Sequence, residues 1–261
     1  LEELPKKLVV IGGGYIGLEF ASYYTNFGSA VTVVQDTADF IPREDLEIAA
    51  CVEQSLKERG VVIVKSAKVR GIKDEAGCAA LTLETPEGER RLTADAVLIA
   101  TGRRPELSAL QPEKAGVKLT ERGAIAVDEK LQTTAEHIWA MGDVTGGLQF
   151  TYISLDDFRI VKDTLVGAGE RTTQNRGAVP YTVFLDPPLS RVGMTEEEAR
   201  AKGFEVVVRK LAVAAVPKAQ VLKNPVGLLK AIMDAKTDKI LGVHLFCPES
   251  QEMINVVKMA M

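Results

Sequence analysis

The segment Lys7–Gly17 constrains this chain more than any other part of it. A short apolar run, Lys7–Ile11, passes directly into Gly12-Gly-Gly14-Tyr-Ile-Gly17, which fits G-x-G-x-x-G. A lone match of that kind means little. Here Ile16, Phe20, Tyr23, Tyr24 and Phe27 follow at helical spacing until Gly28 stops them. Val31–Val34 is the next strand. A helix then runs from about Asp45 to Arg59, with Ala49, Val52 and Leu56 on one face, and Val61–Val64 follows Gly60. Strand, helix, strand, helix, strand is the order of right-handed parallel βαβ units. A glycine loop between the first strand and helix of such a unit is the context that gives the motif its meaning.

The chemistry asked of each glycine is specific. Gly12 permits the tight turn, Gly14 lets a pyrophosphate approach the backbone, and Gly17 lets the helix pack close to the strand. The free N–H groups around Tyr15 and Ile16 and the positive end of the helix dipole then favour phosphate. The alternative is a glycine turn that merely joins two elements. The ribose-reading position, at the end of the second strand, carries Gln35 and then Asp36. Gln35 can bond a hydroxyl or tolerate a phosphate; the first basic residue afterwards is Arg43, beyond Pro42. The balance leans to NAD(H) over NADP(H).

Beyond Ala67 the pattern changes. Lys68–Lys73, Cys78–Glu84 and Glu89–Leu92 read as an antiparallel meander inserted before a final buried strand, Ala96–Ala100. Residues from Leu110 to Gly177 read as a piece of another domain. They hold short strands at Ala124–Val127 and Ile138–Ala140, the turn Met141–Gly147, a helix to about Leu165, and a polar linker Gly167–Gly177. Residues 178–261 read as an α+β unit. Its strands are expected at Tyr181–Phe184, Glu205–Lys210, Gly227–Met233 and Ile240–Leu245, with a capping box at Thr195–Glu198, a turn at Lys236–Asp238 and a last helix from Gln251.

Composition sets the outer bounds. Hydrophobic residues make up 46% of the 261 and charged residues 26%, enough for a sizeable core. A net charge of −4 argues against nucleic acid as the main partner. No apolar run approaches the ~18 residues of a membrane span, and no secretory leader is visible. Three scattered cysteines do not make a disulfide scaffold, so a reducing cytoplasm is the expected compartment. Cys51 and Cys78 read as packing residues, and Cys247 has no visible partner. His137 and His244 have no metal-ligand spacing and read as no site.

Four segments in order extend the glycine loop: Gly12–Phe20, Ala100-Thr-Gly-Arg-Arg-Pro105, Met141-Gly-Asp-Val144 and Pro180–Gly193. Together they resemble the pyridine nucleotide–disulfide oxidoreductases of the glutathione reductase, lipoamide dehydrogenase and mercuric reductase type, over nearly the whole chain. Gln149–Phe158 is similar to the branch that includes reactive-chlorine-resistance and hypothiocyanous-acid reductase flavoproteins. The resemblance implies an α/β architecture: a Rossmann-like NAD(P) domain with inserted meander at 1–110, the returning segment of an FAD domain at 111–177, and a truncated C-terminal interface domain at 178–261. It also explains ends that read as cut. The redox-active cysteine pair would precede Leu1, the family's His–Glu acid/base pair would follow Met261, and no C-x-x-x-x-C or C-x-x-C occurs between them.

The same resemblance implies roles. Tyr15 falls where the family often has an aromatic gate over the flavin; a packed tyrosine at a helix start is the even alternative. Glu19 falls where the family places a carboxylate near the nicotinamide–flavin contact, or is a satisfied helix glutamate. Val69 lies where backbone touches adenine, and Gly102 borders the nicotinamide side. Arg103 and Arg104 read equally as surface charges holding the turn. Asp143 falls where the family bonds the ribityl chain, and the helix from about Thr151 points its positive end at the flavin. From the residues alone, Asp143 is an Asx turn or a hydroxyl acceptor, with the Asx turn favoured.

The function so implied is passage of hydride from NAD(P)H through FAD to a disulfide, in a homodimer formed through 178–261, with a small-molecule or disulfide substrate. The piece alone is expected to be inactive, with no catalytic residue of its own beyond the possible gate of Tyr15 and Glu19. Two alternatives stand beside it. One is a non-catalytic nucleotide-binding and dimerisation module. The other is a cysteine-independent flavin NADH oxidase or quinone reductase, against which Pro180–Gly193 speaks.

Overall fold

A computed structural model describes residues 2–261. The chain forms two compact units: residues up to Gly102 together with Ala178–Met261, and Arg103–Gly177. The first unit opens with β1 (Lys7–Ile11), α1 (Tyr15–Asn26), β2 (Ala30–Val34), α2 (Leu46–Glu58) and β3 (Val62–Val64). The meander β4 (Lys68–Glu75), β5 (Cys78–Thr85) and β6 (Gly88–Ala94) follows, then β7 (Ala96–Ile99). Strands β3, β2, β1 and β7 form one parallel sheet in that order. Leu8, Val9 and Val10 are all buried because both faces of β1 are covered. Val10 and Val33 pack with Leu18, Ile48, Val52 and Leu56 of the helices, while Val9, Val34 and Val64 pack with Leu81 and Leu83 of the meander.

Two expectations need correction here. The aromatic row on α1 is real, but Ile16, Phe20, Tyr23 and Phe27 are exposed, and the buried residues are Gly17, Leu18, Ala21 and Ser22. The cause is Gly17: a Cβ there would lie 2.0 Å from the Gly12 carbonyl oxygen, so the glycine side must face the sheet. Strand β7 is only partly buried, with Ile99 66% exposed, because it forms the sheet edge beyond β1.

The second unit contains a 3-10 turn at Gly142–Thr145 and α3 (Thr151–Val166). The strands expected at Ala124–Val127 and Ile138–Ala140 shrink to single bridges, Leu119 to Ile125 and Gln132 to Trp139. Tight turns cut them short: the Asp128 carboxylate accepts from the backbone N–H of Lys130 and Gln132, at 2.8 and 2.9 Å. Small clusters around Val117, Ile125 and Ala140, and around Leu131, Ile160 and Val161, form its core. Gly167–Gly177 is irregular but tied back on α3, where Arg171 and Arg176 pair with Asp156.

The first unit resumes with β8 (Tyr181–Val183), β9 (Leu189–Gly193), α4 (Glu196–Ala201), β10 (Val206–Ala212), α5 (Pro217–Val221), β11 (Leu228–Asp234), β12 (Ile240–Phe246) and α6 (Ser250–Ala260). The five strands form an antiparallel sheet, β10-β11-β12-β9-β8. The capping box forms as expected: Thr195 Oγ1 accepts from Glu198 N at 3.1 Å, and Glu198 Oε2 accepts from Thr195 N at 2.7 Å. Strand β9 escapes sequence reading because Ser190 and Arg191, polar residues, are buried in its middle.

Candidate functional site

The loop between β1 and α1 divides its glycines by role. At Gly12, with φ +113°, a Cβ would stand 2.3 Å from the Ala100 carbonyl oxygen. At Gly17 it would strike Gly12 itself. At Gly14, which caps α1 with φ −79°, it would meet nothing within 4 Å. Gly14 is exposed, and α1 starts without a side-chain cap or an acidic residue in its first turn. Close packing at Gly12 and Gly17 with open space at Gly14 is the arrangement a diphosphate requires. Ile16 is 42% exposed beside it, and Gly102 is exposed after the sheet edge with φ +114°.

Gln35 is engaged elsewhere. It is buried, and its amide nitrogen donates to the Thr37 and Asp39 carbonyl oxygens at 3.1 and 2.9 Å. Its other amide atom lies against Gly13, where a Cβ would be 2.2 Å away. The side chain therefore shapes the loop after β2, while Asp36 and Arg43 are exposed. Val69 is half-buried on the meander against the second core cluster.

Tyr15 and Glu19 are tethered as well. The Tyr15 hydroxyl donates to Glu44 Oε1 at 2.5 Å, and the Tyr181 hydroxyl donates to the same oxygen at 2.6 Å. The two rings lie 5.9 Å apart. Glu19 Oε1 accepts from the Phe184 backbone N–H at 2.8 Å. Burial, the largest cause, pushes the Tyr15 and Tyr181 hydroxyls above the ordinary phenol range, so both stay protonated.

Around this pair lies a buried cluster that the motifs did not reveal. Arg191 donates to the Arg43 carbonyl oxygen at 2.6 Å and pairs with Glu198. Lys230, 2% exposed, pairs with Asp45, Glu47 and Glu196 at 2.7 to 2.9 Å. His244, set aside on sequence grounds, is fully buried with Nε2 3.1 Å from the Met194 carbonyl oxygen. The one signal available in the sequence was the run Arg43-Glu44-Asp45 directly before a helix start.

In the second unit Asp143 is half-exposed, and its carboxylate pairs with Arg103 at 2.9 Å in place of an Asx turn. Arg103 also donates to the Gln149 carbonyl oxygen at 3.1 Å, so it holds the approach to α3. Helix α3 starts at Thr151 without a side-chain cap. Gly142 N donates to the buried Asp157 at 2.8 Å, and Arg176 pairs with Asp157. A half-exposed carboxylate can accept from a hydroxyl, and an uncapped helix start favours a group carrying partial negative charge. Cys51 is half-buried and Cys247 buried, but Cys78 is exposed, so it is no packing residue; it sits at the start of a meander strand beside a turn. The described residues contain no cluster of His, Cys, Asp or Glu able to hold a metal, and no helix long and apolar enough to cross a membrane.

A family model described as pyridine nucleotide-disulphide oxidoreductase matches residues 1–157, and the dimerisation domain of the same family matches 179–261. The RclA protein of Escherichia coli (strain K12) is 53% identical over 261 residues, covering 100% of this chain and 58% of that protein. A mercuric reductase of Bacillus cereus is 34% identical over 260 residues, covering 100% of this chain and 41% of that one. The solved HOCl-induced flavoprotein disulfide reductase RclA from Escherichia coli superposes with a TM-score of 0.93 at 52% identity, over 100% of this chain and 59% of that one. The chain thus spans a little under three fifths of the length of RclA and about two fifths of that of the mercuric reductase. Glycine loop, meander, Asp143 turn and five-stranded C-terminal sheet fall within those matches, and the chain belongs to the pyridine nucleotide–disulphide oxidoreductase family.

Proposed function

We propose that this chain is the nucleotide-binding and interface part of a flavoprotein that passes reducing equivalents from NAD(P)H through FAD to a redox-active disulfide. The observation that carries the reading is the division of labour in the glycine loop, open at Gly14 and jammed against backbone at Gly12 and Gly17. When bound, the two cofactors supply hydride transfer and the electrons that open a disulfide. The chain's own part is to bind and orient. Gly12, Gly14, Ile16 and Gly17 present the start of α1 to the diphosphate, with a dipole contribution of ~0.3–1 kcal/mol. Tyr15 and Glu19 border the approach to the nicotinamide, Gly102 its far side, and Val69 the adenine. Gln35 shapes the ribose-reading loop. Asp143 would accept from a ribityl hydroxyl, and the helix start at Thr151 would turn its positive end to the flavin.

In this reading residues 1–110 are the NAD(P) domain, 111–177 the returning FAD segment and 178–261 the interface through which two copies pair. The substrate is a small molecule or disulfide and the compartment is the cytoplasm. Exposed Asp36 disfavours a 2′-phosphate, which favours NAD(H). Titration calorimetry of the full-length protein with NADH and NADPH is the test. Tighter binding of NADH is expected. Equal affinities remove the NAD preference, and binding of neither overturns the reading.

A further inference from the structure

Glu44 and His244 meet at the junction between the glycine-loop domain and the C-terminal sheet. Both side chains are 0% exposed, and Glu44 Oε2 lies 3.9 Å from His244 Nδ1. Neither atom has a hydrogen-bond partner among the described residues. The His244 tautomer follows from its other nitrogen. Nε2 sits 3.1 Å from the Met194 carbonyl oxygen, which only accepts, so Nε2 carries the hydrogen and Nδ1 a bare lone pair. An ionised Glu44 sets a second lone pair against it, away from water. Two buried acceptors facing each other are costly until a donor fills the gap. Glu44 Oε1 is served twice over, by the hydroxyls of Tyr15 and Tyr181.

We propose that Glu44 and His244 share one buried proton, carried on Glu44 Oε2 and donated to His244 Nδ1, and that this proton fixes the carboxyl group that holds Tyr15, the first residue of the glycine-loop helix. Donation then runs from Glu44 to His244 and from His244 to the Met194 carbonyl. It satisfies both unpartnered atoms and strands no charge; the gap must close by about 1 Å to reach hydrogen-bond length. The groups facing the pair are Tyr15 from α1, Tyr181 from β8, Arg191 from β9, Glu198 from α4, Asp45 at the start of α2 and Lys230 from β11. Arg191 stands 4.0 Å from Oε2. Burial acts the same way on both partners: it raises the Glu44 carboxyl and lowers the His244 imidazole to about 4, which favours the neutral pair over an ion pair. Without the proton the carboxylate is drawn toward Arg191, and Tyr15 loses its post. Glu44 and His244 are therefore positioning residues, and this role rests on the nucleotide reading of the loop.

The test uses the full-length protein. Infrared spectroscopy with isotope-labelled glutamate should show the carbonyl band of a buried protonated carboxyl at neutral pH, lost in Glu44→Gln and shifted in His244→Gln. NADH affinity should fall at least about fivefold on the alkaline side as the pair loses its proton, a value at the low end of coupling between sites. Glu44→Gln keeps an acceptor for both tyrosines and a permanent N–H for His244, so its affinity should stay flat with pH. Absence of the band in the parent overturns the shared proton, even if the variants fail to fold. A Glu44→Gln pH profile superimposable on the parent's overturns the positioning role. Loss of NADH binding at every pH, with the band intact, sinks the nucleotide reading and leaves the shared proton standing.

Discussion

Lys230 Nζ and Asp45 Oδ2 meet at 2.8 Å with their side chains only 2% and 3% exposed. The lysine belongs to the C-terminal sheet, and the aspartate caps the second helix of the glycine-loop domain. Glu47 and Glu196 complete a ring of three carboxylates around one ammonium. Burial alone would lower the Lys230 amine; hydrogen bonds to Asp45, Glu47 and Glu196 override it and hold the proton more tightly than usual.

Lys230→Met leaves Asp45 buried without a cation. Breaking a buried pair from one side costs ~3–5 kcal/mol. Urea unfolding of the parent and variant should show a loss of that size, and a loss below ~1 kcal/mol would mean that the ring is incidental to stability.

The same ring makes the fold sensitive to acid. Hydrogen bonds from Lys210 and Lys230 hold the Glu47 carboxyl below its ordinary value, and those from Lys230 and Arg200 do so for Glu196. A depressed folded value gives stability that is full above the unfolded glutamate value and lost as pH falls through the folded one. Unfolding free energy should therefore drop on the acid side of the glutamate range. Lys230→Met should show a shallower drop in the same titration.

Gly14→Ala and Gly17→Ala separate binding from folding. At Gly14 a methyl meets nothing, so stability should change by no more than about 0.5 kcal/mol while NADH affinity falls. At Gly17 the methyl meets the Gly12 carbonyl at 2.0 Å, so the melting temperature itself should fall. Calorimetry and thermal unfolding read the two effects; equal loss of stability in both would contradict the geometry.

Asp143→Asn in the full-length protein should lower the flavin content on purification. Arg103→Ala should lower it less, since it frees the carboxylate yet loosens the approach to α3. Flavin absorbance per chain is the measurement, and full occupancy in Asp143→Asn would remove the residue from the flavin site.

Thiol labelling should follow exposure. Burial pushes the Cys247 thiol up to about 11 and raises that of Cys51, whereas Cys78 is exposed. Mass spectrometry of briefly alkylated folded protein should find Cys78 modified first and Cys247 last. Early modification of Cys247 would show that its strand end opens readily.

The parallel sheet, the meander and the glycine loop were legible because each rests on local chemistry: apolar runs, Gly-bounded turns, one motif. The buried face of α1 was not, since exposed Phe20 and Phe27 look more like core than Gly17 and Ser22 do. Strand β9 is hidden by the polar Arg191, and His244 has no ligand spacing to single it out. Those residues owe their burial to partners more than a hundred positions away in sequence, as Arg191 does to Arg43 and Lys230 to Asp45. Periodicity carries no record of such pairings.

Arg43, Glu44, Asp45 and Glu47 each bond a residue of the C-terminal sheet, through Arg191, Tyr181, Lys230 and Lys210 in turn. The two halves of this unit are consequently not interchangeable modules. A chimaera that grafts a foreign C-terminal half onto this N-terminal one leaves a carbonyl and three carboxylates without their partners unless those four partners are kept, so recombination within such proteins should succeed only at crossovers that keep both sides of the seam together.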